Sequence, residues 1–279
     1  MFSGITITCF ATSYAVSLVL EVSRLFFRAA VRLPVMFAFT AAGLLAHTLY
    51  LMARAQGELS AHGIVFLSSW YDFCLIVAWL LAGTYLAFGL SRPQTAVGIF
   101  LLPLVLALIG LGALFRQASA FRSQDTLYAW RFLHGFSFLA GTVTVALGFA
   151  LGLMYLTQAY RLKRKLLPGR GLQLPSLEWL QRANRESLAL STCLLAIGLI
   201  SGVILNLIRA ARNGPTVSWT DPVVLSSGVL FGWLAAMTVF ESVYRPARQG
   251  TKVAYLTLAS FVVLGLALYF VLLGAHGVP

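Results

Sequence analysis

The chain has 279 residues, 59% of them hydrophobic and only 10% charged, with a mean hydropathy of +0.87 and a formal net charge of +12. An ordinary soluble domain carries about 25% charged residues, so this composition excludes a soluble globular domain and points to a polytopic membrane protein. The basic residues are spread over short loops and lack a stacking groove, which argues against nucleic acid and leaves anionic lipid head groups as the surface they meet.

A helical span needs about 20 apolar residues. Eight segments qualify: Ile5–Leu20, Val35–Met52, Ser69–Phe88, Ala96–Leu114, Leu133–Thr157, Leu188–Ile208, Val223–Phe240 and Val253–Leu273. None alternates apolar and polar residues as a lipid-facing barrel strand does. The expected fold is therefore all-α, a polytopic membrane helix bundle of about eight transmembrane helices forming a single transmembrane domain over residues 1–279. The first segment has no basic start and no A-x-A-type cleavage site, so it reads as a retained span rather than a signal peptide.

Charge orients the bundle. With the first loop inside, the odd-numbered loops hold fourteen of the twenty Lys and Arg residues, seven of them between Arg161 and Arg185, and the even-numbered loops hold six. The positive-inside rule then places both termini outside. The longest polar stretch, Tyr160–Ser187, lies inside. It opens with Arg161-Leu162-Lys163-Arg164-Lys165 and continues through Pro168-Gly169 to Leu174-Pro175-Ser176-Leu177-Glu178. Ser176 is the expected N-cap of a helix running into the sixth span, with Leu177, Trp179 and Leu180 expected at the membrane interface. In the third outer loop, Asn213-Gly214-Pro215 marks a turn, and Asp221-Pro222 places a cap and a first-position proline at the start of the seventh span.

The histidines carry the chemistry. His47, His134 and His276 each lie near the outer end of an apolar segment, and His62 falls in an outer loop. His134 and His276 flank the loop that holds Trp219 and Asp221. Two axial imidazoles beside an aromatic shelf suit haem iron at the outer face, with Arg131, Arg209 and Arg212 near enough in sequence to meet propionates. The plainer reading makes each histidine an interfacial side chain bonded to backbone, and His47 a packed one. Among intramembrane acids, Asp72 is placed to orient a histidine, and Glu241 stands four residues before Arg245, the spacing of a helical ion pair. Cys9, Cys74 and Cys193 are isolated, which disfavours a dithiol carrier or a zinc site built on paired cysteines. No carboxylate pair, phosphate loop, H-E-x-x-H or G-x-S-x-G motif supports hydrolysis or phosphoryl transfer. With no internal repeat and few broken spans, a solute transporter ranks last.

From about residue 40 to 279 the ordered series of motifs resembles the integral-membrane cytochrome c assembly proteins, the CcsA, CcmC and HemX-like group. The series comprises Ala46-His47-Thr48-Leu49-Tyr50-Leu51, Tyr71-Asp72 followed by Trp79, His134 with Gly152-Leu153-Met154-Tyr155-Leu156, Leu174-Pro175-Ser176-Leu177-Glu178 with Asn184-Arg185, Gly202, and a last span ending in His276. The resemblance implies haem as cofactor, held by His134 and His276 as iron ligands, with Trp219 and Asp221 shaping the platform and His47 and Asp72 as further cofactor-binding candidates. It implies apocytochrome c or another assembly membrane protein as partner, membrane lipid around it, and residence in the inner (plasma) membrane. The family's tryptophan-rich segment reads W-G-x-x-W-x-W-D-P-K-E. Here Trp219, Asp221 and Pro222 remain, and no histidine stands near Tyr244. The expected role is thus a haem-binding assembly factor rather than a classical enzyme. The alternative is a HemX-like regulator of a haem-biosynthesis enzyme acting through the basic inner loop.

Overall fold

The computed structural model describes residues 6–26, 31–62, 70–92, 95–114, 128–165, 173–214, 216–243 and 250–273. These hold eight helices and no strand: α1 (Ile7–Ser23), α2 (Arg32–His62), α3 (Trp70–Ser91), α4 (Gly98–Leu114), α5 (Tyr128–Lys163), α6 (Leu177–Ala211), α7 (Pro222–Val243) and α8 (Gly250–Leu273). Each covers most of one expected span, α4 starting two residues after the expected Ala96. Among the described residues five, α2, α3, α5, α6 and α7, are long and apolar enough to cross a membrane, and the other three are apolar but offer shorter stretches. The chain is a multi-pass helical membrane protein.

Several helices outrun their apolar segments. α2 continues ten residues past Met52, so His62 closes a helix instead of lying in a loop. α5 extends to Lys163, and α6 begins at Leu177, eleven residues before the expected span. Hydropathy reports only the stretch that needs hydrocarbon, about 30 Å; the backbone keeps its hydrogen bonds beyond it. At 1.5 Å per residue, α2 is about 46 Å long.

The chain forms two compact units, residues 1–120 with 160–175, and residues 121–159 with 176–279. In the first, α1 packs on α2 and α4, and α3 on α2 and α4. α3 buries Tyr71, Leu75, Ala78, Ala82 and Tyr85, a stripe spaced 4, 3, 4 and 3, each no more than 2% exposed. The hydroxyl residues inside the first span are satisfied within their own helix. Thr12 donates to Thr8 O at 2.7 Å, Ser13 to Cys9 O at 3.0 Å and Ser17 to Ser13 O at 3.0 Å. At the inner end of this unit Arg24 Nη1 donates to Thr95 O at 3.1 Å, and Ala96 N donates to Gln173 O at 2.8 Å.

In the second unit, α6 packs on α7 and α8, and α7 on α8. Leu188, Leu195, Leu230, Leu234 and Leu264 form its apolar centre. Ser176 caps α6, accepting from Trp179 N at 3.4 Å. Leu180 is not at the interface as expected: it is fully buried, because the first turns of α6 already lie against protein. Glu241 is 4% exposed and meets Arg185 of α6, Nε to Oε1 3.8 Å. The expected helical partner, Arg245, lies outside the described residues.

Candidate functional site

α5 and α6 run antiparallel, and the N-terminal half of α5 meets the C-terminal half of α6 through a small-residue step. Gly198 and Gly202 are four apart, so both fall on one face of α6. A Cβ at Gly202 would stand 2.7 Å from His134 Cε1, and one at Gly198 would stand 2.7 Å from Phe138 Cδ2. The absence of those two side chains leaves the space that the His134 and Phe138 rings fill. The two rings contact each other edge to face at 4.9 Å. Further in, a Cβ at Gly141 would meet Leu195 at 3.1 Å, which continues the antiparallel register.

This seat fixes the state of His134. Its Nδ1 lies 2.7 Å from the Gly198 carbonyl oxygen. A carbonyl can only accept, so Nδ1 carries the proton and, in the neutral ring, Nε2 holds the lone pair. An imidazole whose Nδ1–H is bonded to backbone and whose Nε2 is basic is the form that ligates a metal. The ring is half-buried and lies about two turns into α5, which begins ahead of the apolar segment that His134 opens.

One turn further out, about 6 Å along α6, Asn206 holds the α6–α7 connection. Its Nδ2 donates to Val217 O at 3.0 Å, and its Oδ1 accepts from Val217 N at 2.9 Å. Asn213 takes a left-handed conformation, φ 53°, as the Asn-Gly turn signal predicts. Gly214 N then donates to Arg209 O at 2.9 Å. Asp221 caps α7 as expected, its Oδ1 accepting from Val223 N at 2.8 Å. Between these anchors Trp219 is 53% exposed. Asn206→Leu would remove both bonds to Val217 and leave its amide and carbonyl unmet, a cost of about 2 kcal/mol. The expected results are faster limited proteolysis between Arg212 and Asp221 and a lower melting temperature in detergent.

The remaining candidates divide. His47 and Asp72 belong to the first unit. With α2 reaching His62, His47 sits near the middle of its helix rather than one turn from its outer end. It is fully buried, stacked on Phe10 with centroids 4.1 Å apart and planes 1° from parallel, and its Nδ1 faces Tyr14 Oη at 3.4 Å. Asp72, expected to orient a histidine, is engaged by Arg54, Oδ1 to Nε, with Oδ2 3.4 Å from Nη2. The Arg54 guanidinium also lies over the Tyr71 ring at 4.8 Å, and Tyr71 Oη meets Tyr50 Oη at 2.6 Å. His276 lies outside the described residues, and the His62 side chain is likewise undescribed. Among the described residues no three His, Cys, Asp or Glu side chains converge as they do around a bare metal ion.

Sequence reasoning missed the Gly198-x-x-x-Gly202 step and the Asn206 clamp. The first was legible as a spacing; the second, a polar residue one turn from a helix end, carries no local signal for the strand of backbone it holds. A family model described as cytochrome c assembly protein matches residues 67–278. No curated protein and no solved structure matches the chain.

Proposed function

The chain belongs to the cytochrome c assembly protein family and takes part in cytochrome c biogenesis, and from that membership we propose that it binds haem at the outer face of the inner (plasma) membrane for delivery to apocytochrome c. His134 and His276 would hold the haem iron. Trp219 offers its exposed ring as a shelf for the macrocycle, while Asp221 fixes the start of α7 and so the end of that shelf. The observation that carries this reading is the His134 Nδ1–Gly198 carbonyl bond, which leaves Nε2 as the basic nitrogen. The fit is chemical: a neutral imidazole with a locked tautomer, partly open, on a helix pair whose Asn206 also anchors the segment carrying an exposed tryptophan.

Bound haem supplies an iron that two imidazoles hold low-spin and that shifts between ferrous and ferric. The protein does the holding. The Gly198 carbonyl holds the His134 ring and Gly202 leaves room for it, Asn206 keeps the Trp219 segment in place, and Arg209 and Arg212 at the end of α6 would bring positive charge to the propionates. His47 and Asp72 are assigned supporting roles within the first unit. The test is the visible spectrum of the detergent-purified protein, oxidised and reduced, beside His134→Ala/His276→Ala. A sharp low-spin spectrum that the double variant lacks is expected. Equal haem content and spectrum in both sinks the proposal.

A second reading rests on the basic end of α5, where Lys163, Arg164 and Lys165 are exposed. In it the chain regulates a haem-biosynthesis enzyme through this surface. Deleting Arg161–Lys165 then abolishes capture of that enzyme while leaving the spectrum unchanged; retained capture rejects it.

A further inference from the structure

Within the second unit lies a small cavity lined by five hydroxyl side chains, Thr144 of α5, Ser187 and Ser191 of α6, and Thr257 and Ser260 of α8, with Leu188 and Leu234 closing it. It has room for about one water molecule. A hydroxyl has one proton to give, and each of these five already gives it to a backbone carbonyl. Thr144 donates to Ala140 O at 2.8 Å, Ser187 to Thr144 O at 2.6 Å and Ser191 to Leu188 O at 2.9 Å. Thr257 donates to Ala254 O at 3.0 Å and Ser260 to Leu256 O at 2.9 Å. Thr257 also accepts from Asn184 Nδ2, and Ser260 from Trp233 Nε1, each at 3.1 Å.

The hydroxyls of this wall therefore accept hydrogen bonds and have none left to offer. The neighbouring Asn184 adds a further acceptor, since its Oδ1 is buried without a hydrogen-bond partner. An apolar guest does not answer such a wall; cavities that stay dry are lined by apolar groups. A bare cation does not fit either, because no carboxylate lines the cavity to offset the burial of a charge. What fits is a small neutral donor.

We infer that this cavity is a binding site for one ordered water molecule, which donates to the Thr144 hydroxyl of α5 and to the Ser187 or Ser191 hydroxyl of α6 and so joins the two helices. The same helix pair holds His134 on its outer half, so the water braces the inner half of the two helices that form that seat.

X-ray hydroxyl-radical footprinting of the full chain in heavy-oxygen water tests this directly, because radiolysis of a bound water creates the radical inside the cavity. Leu188 and Leu234 line the cavity. Leu195 and Leu230 belong to the same buried cluster but do not line it. All four are 2% exposed or less. The expected result is severalfold faster oxygenation of Leu188 and Leu234 than of Leu195 and Leu230, falling to the level of the latter pair in Ser187→Ala/Ser191→Ala. Gly148→Ala is the second variant: its methyl would stand 3.2 Å from Ser187 Oγ and 3.7 Å from Thr257 Cγ2, narrowing the cavity. Equal rates at all four leucines in the native protein overturn the inference whatever the variants do, as do rates at Leu188 and Leu234 that both variants leave unchanged.

Discussion

Gly202→Val is expected to destabilise the second unit by about 2–3 kcal/mol and to abolish haem retention without touching a ligand. A Cβ at this position stands 2.7 Å from His134 Cε1 and 2.9 Å from Nδ1, inside any tolerable contact, and valine adds two methyl groups beyond it. The ring has one escape, rotation away from α6, and rotation breaks the 2.7 Å bond to the Gly198 carbonyl. That carbonyl also accepts from Ser201 Oγ at 2.8 Å, so the loss falls mainly on the imidazole, which is then free to change tautomer. Thermal unfolding and the visible spectrum of the purified variant read the two effects separately. Gly135→Ala is the control. It adjoins His134 on the same helix, but nothing stands within 4 Å of its Cβ, so the added methyl should leave the spectrum intact and raise stability by up to about 1 kcal/mol through helix propensity. Haem content preserved in Gly202→Val would show that the seat of His134 is irrelevant to ligation.

In the first unit, Arg54→Met is expected to cost about 3–5 kcal/mol, more than Asp72→Leu, and the double replacement should recover most of the loss. The asymmetry comes from depth. The Asp72 side chain is 11% exposed and the Arg54 side chain 31%. Removing the arginine takes the facing cation from a carboxylate with little access to water. Removing the aspartate leaves a guanidinium on a long stem that can reach the head-group zone and already rests on the Tyr71 ring. Two apolar residues in place of a buried ion pair remove the desolvation penalty along with the attraction. Melting of the three variants in detergent checks the ranking; equal losses from either single replacement would place the pair in a far wetter setting than its burial indicates.

The spans were legible because hydrocarbon imposes a length and a composition that no other constraint imitates, so each apolar run coincides for most of its length with one helix. The ends were not, since His62 and Leu177 sit in helix that lipid does not require. Local chemistry was read well where a residue acts on its own neighbours: Ser176 and Asp221 cap the helices they precede, and Asn213 turns the chain. It was less legible where a partner comes from another helix: Arg185 meets Glu241 across the α6–α7 packing, Arg54 meets Asp72 across α2 and α3, and Leu180 is buried by tertiary neighbours that a linear pattern does not contain. His134 lies between these cases. Its place near the outer end was visible, but its tautomer depends on a carbonyl 64 residues away.

The Asn206 clamp has a consequence for encounter with another molecule. Ordering a loop on contact costs roughly 1–2 kcal/mol for each residue fixed, and a loop that orders slowly limits how often a collision succeeds. Val217 is held at both its amide and its carbonyl, and Asp221 anchors the far end, so the segment carrying Trp219 meets its partner already in shape. An exposed aromatic on a loop already in shape loses less freedom on contact, so more of each contact goes into binding.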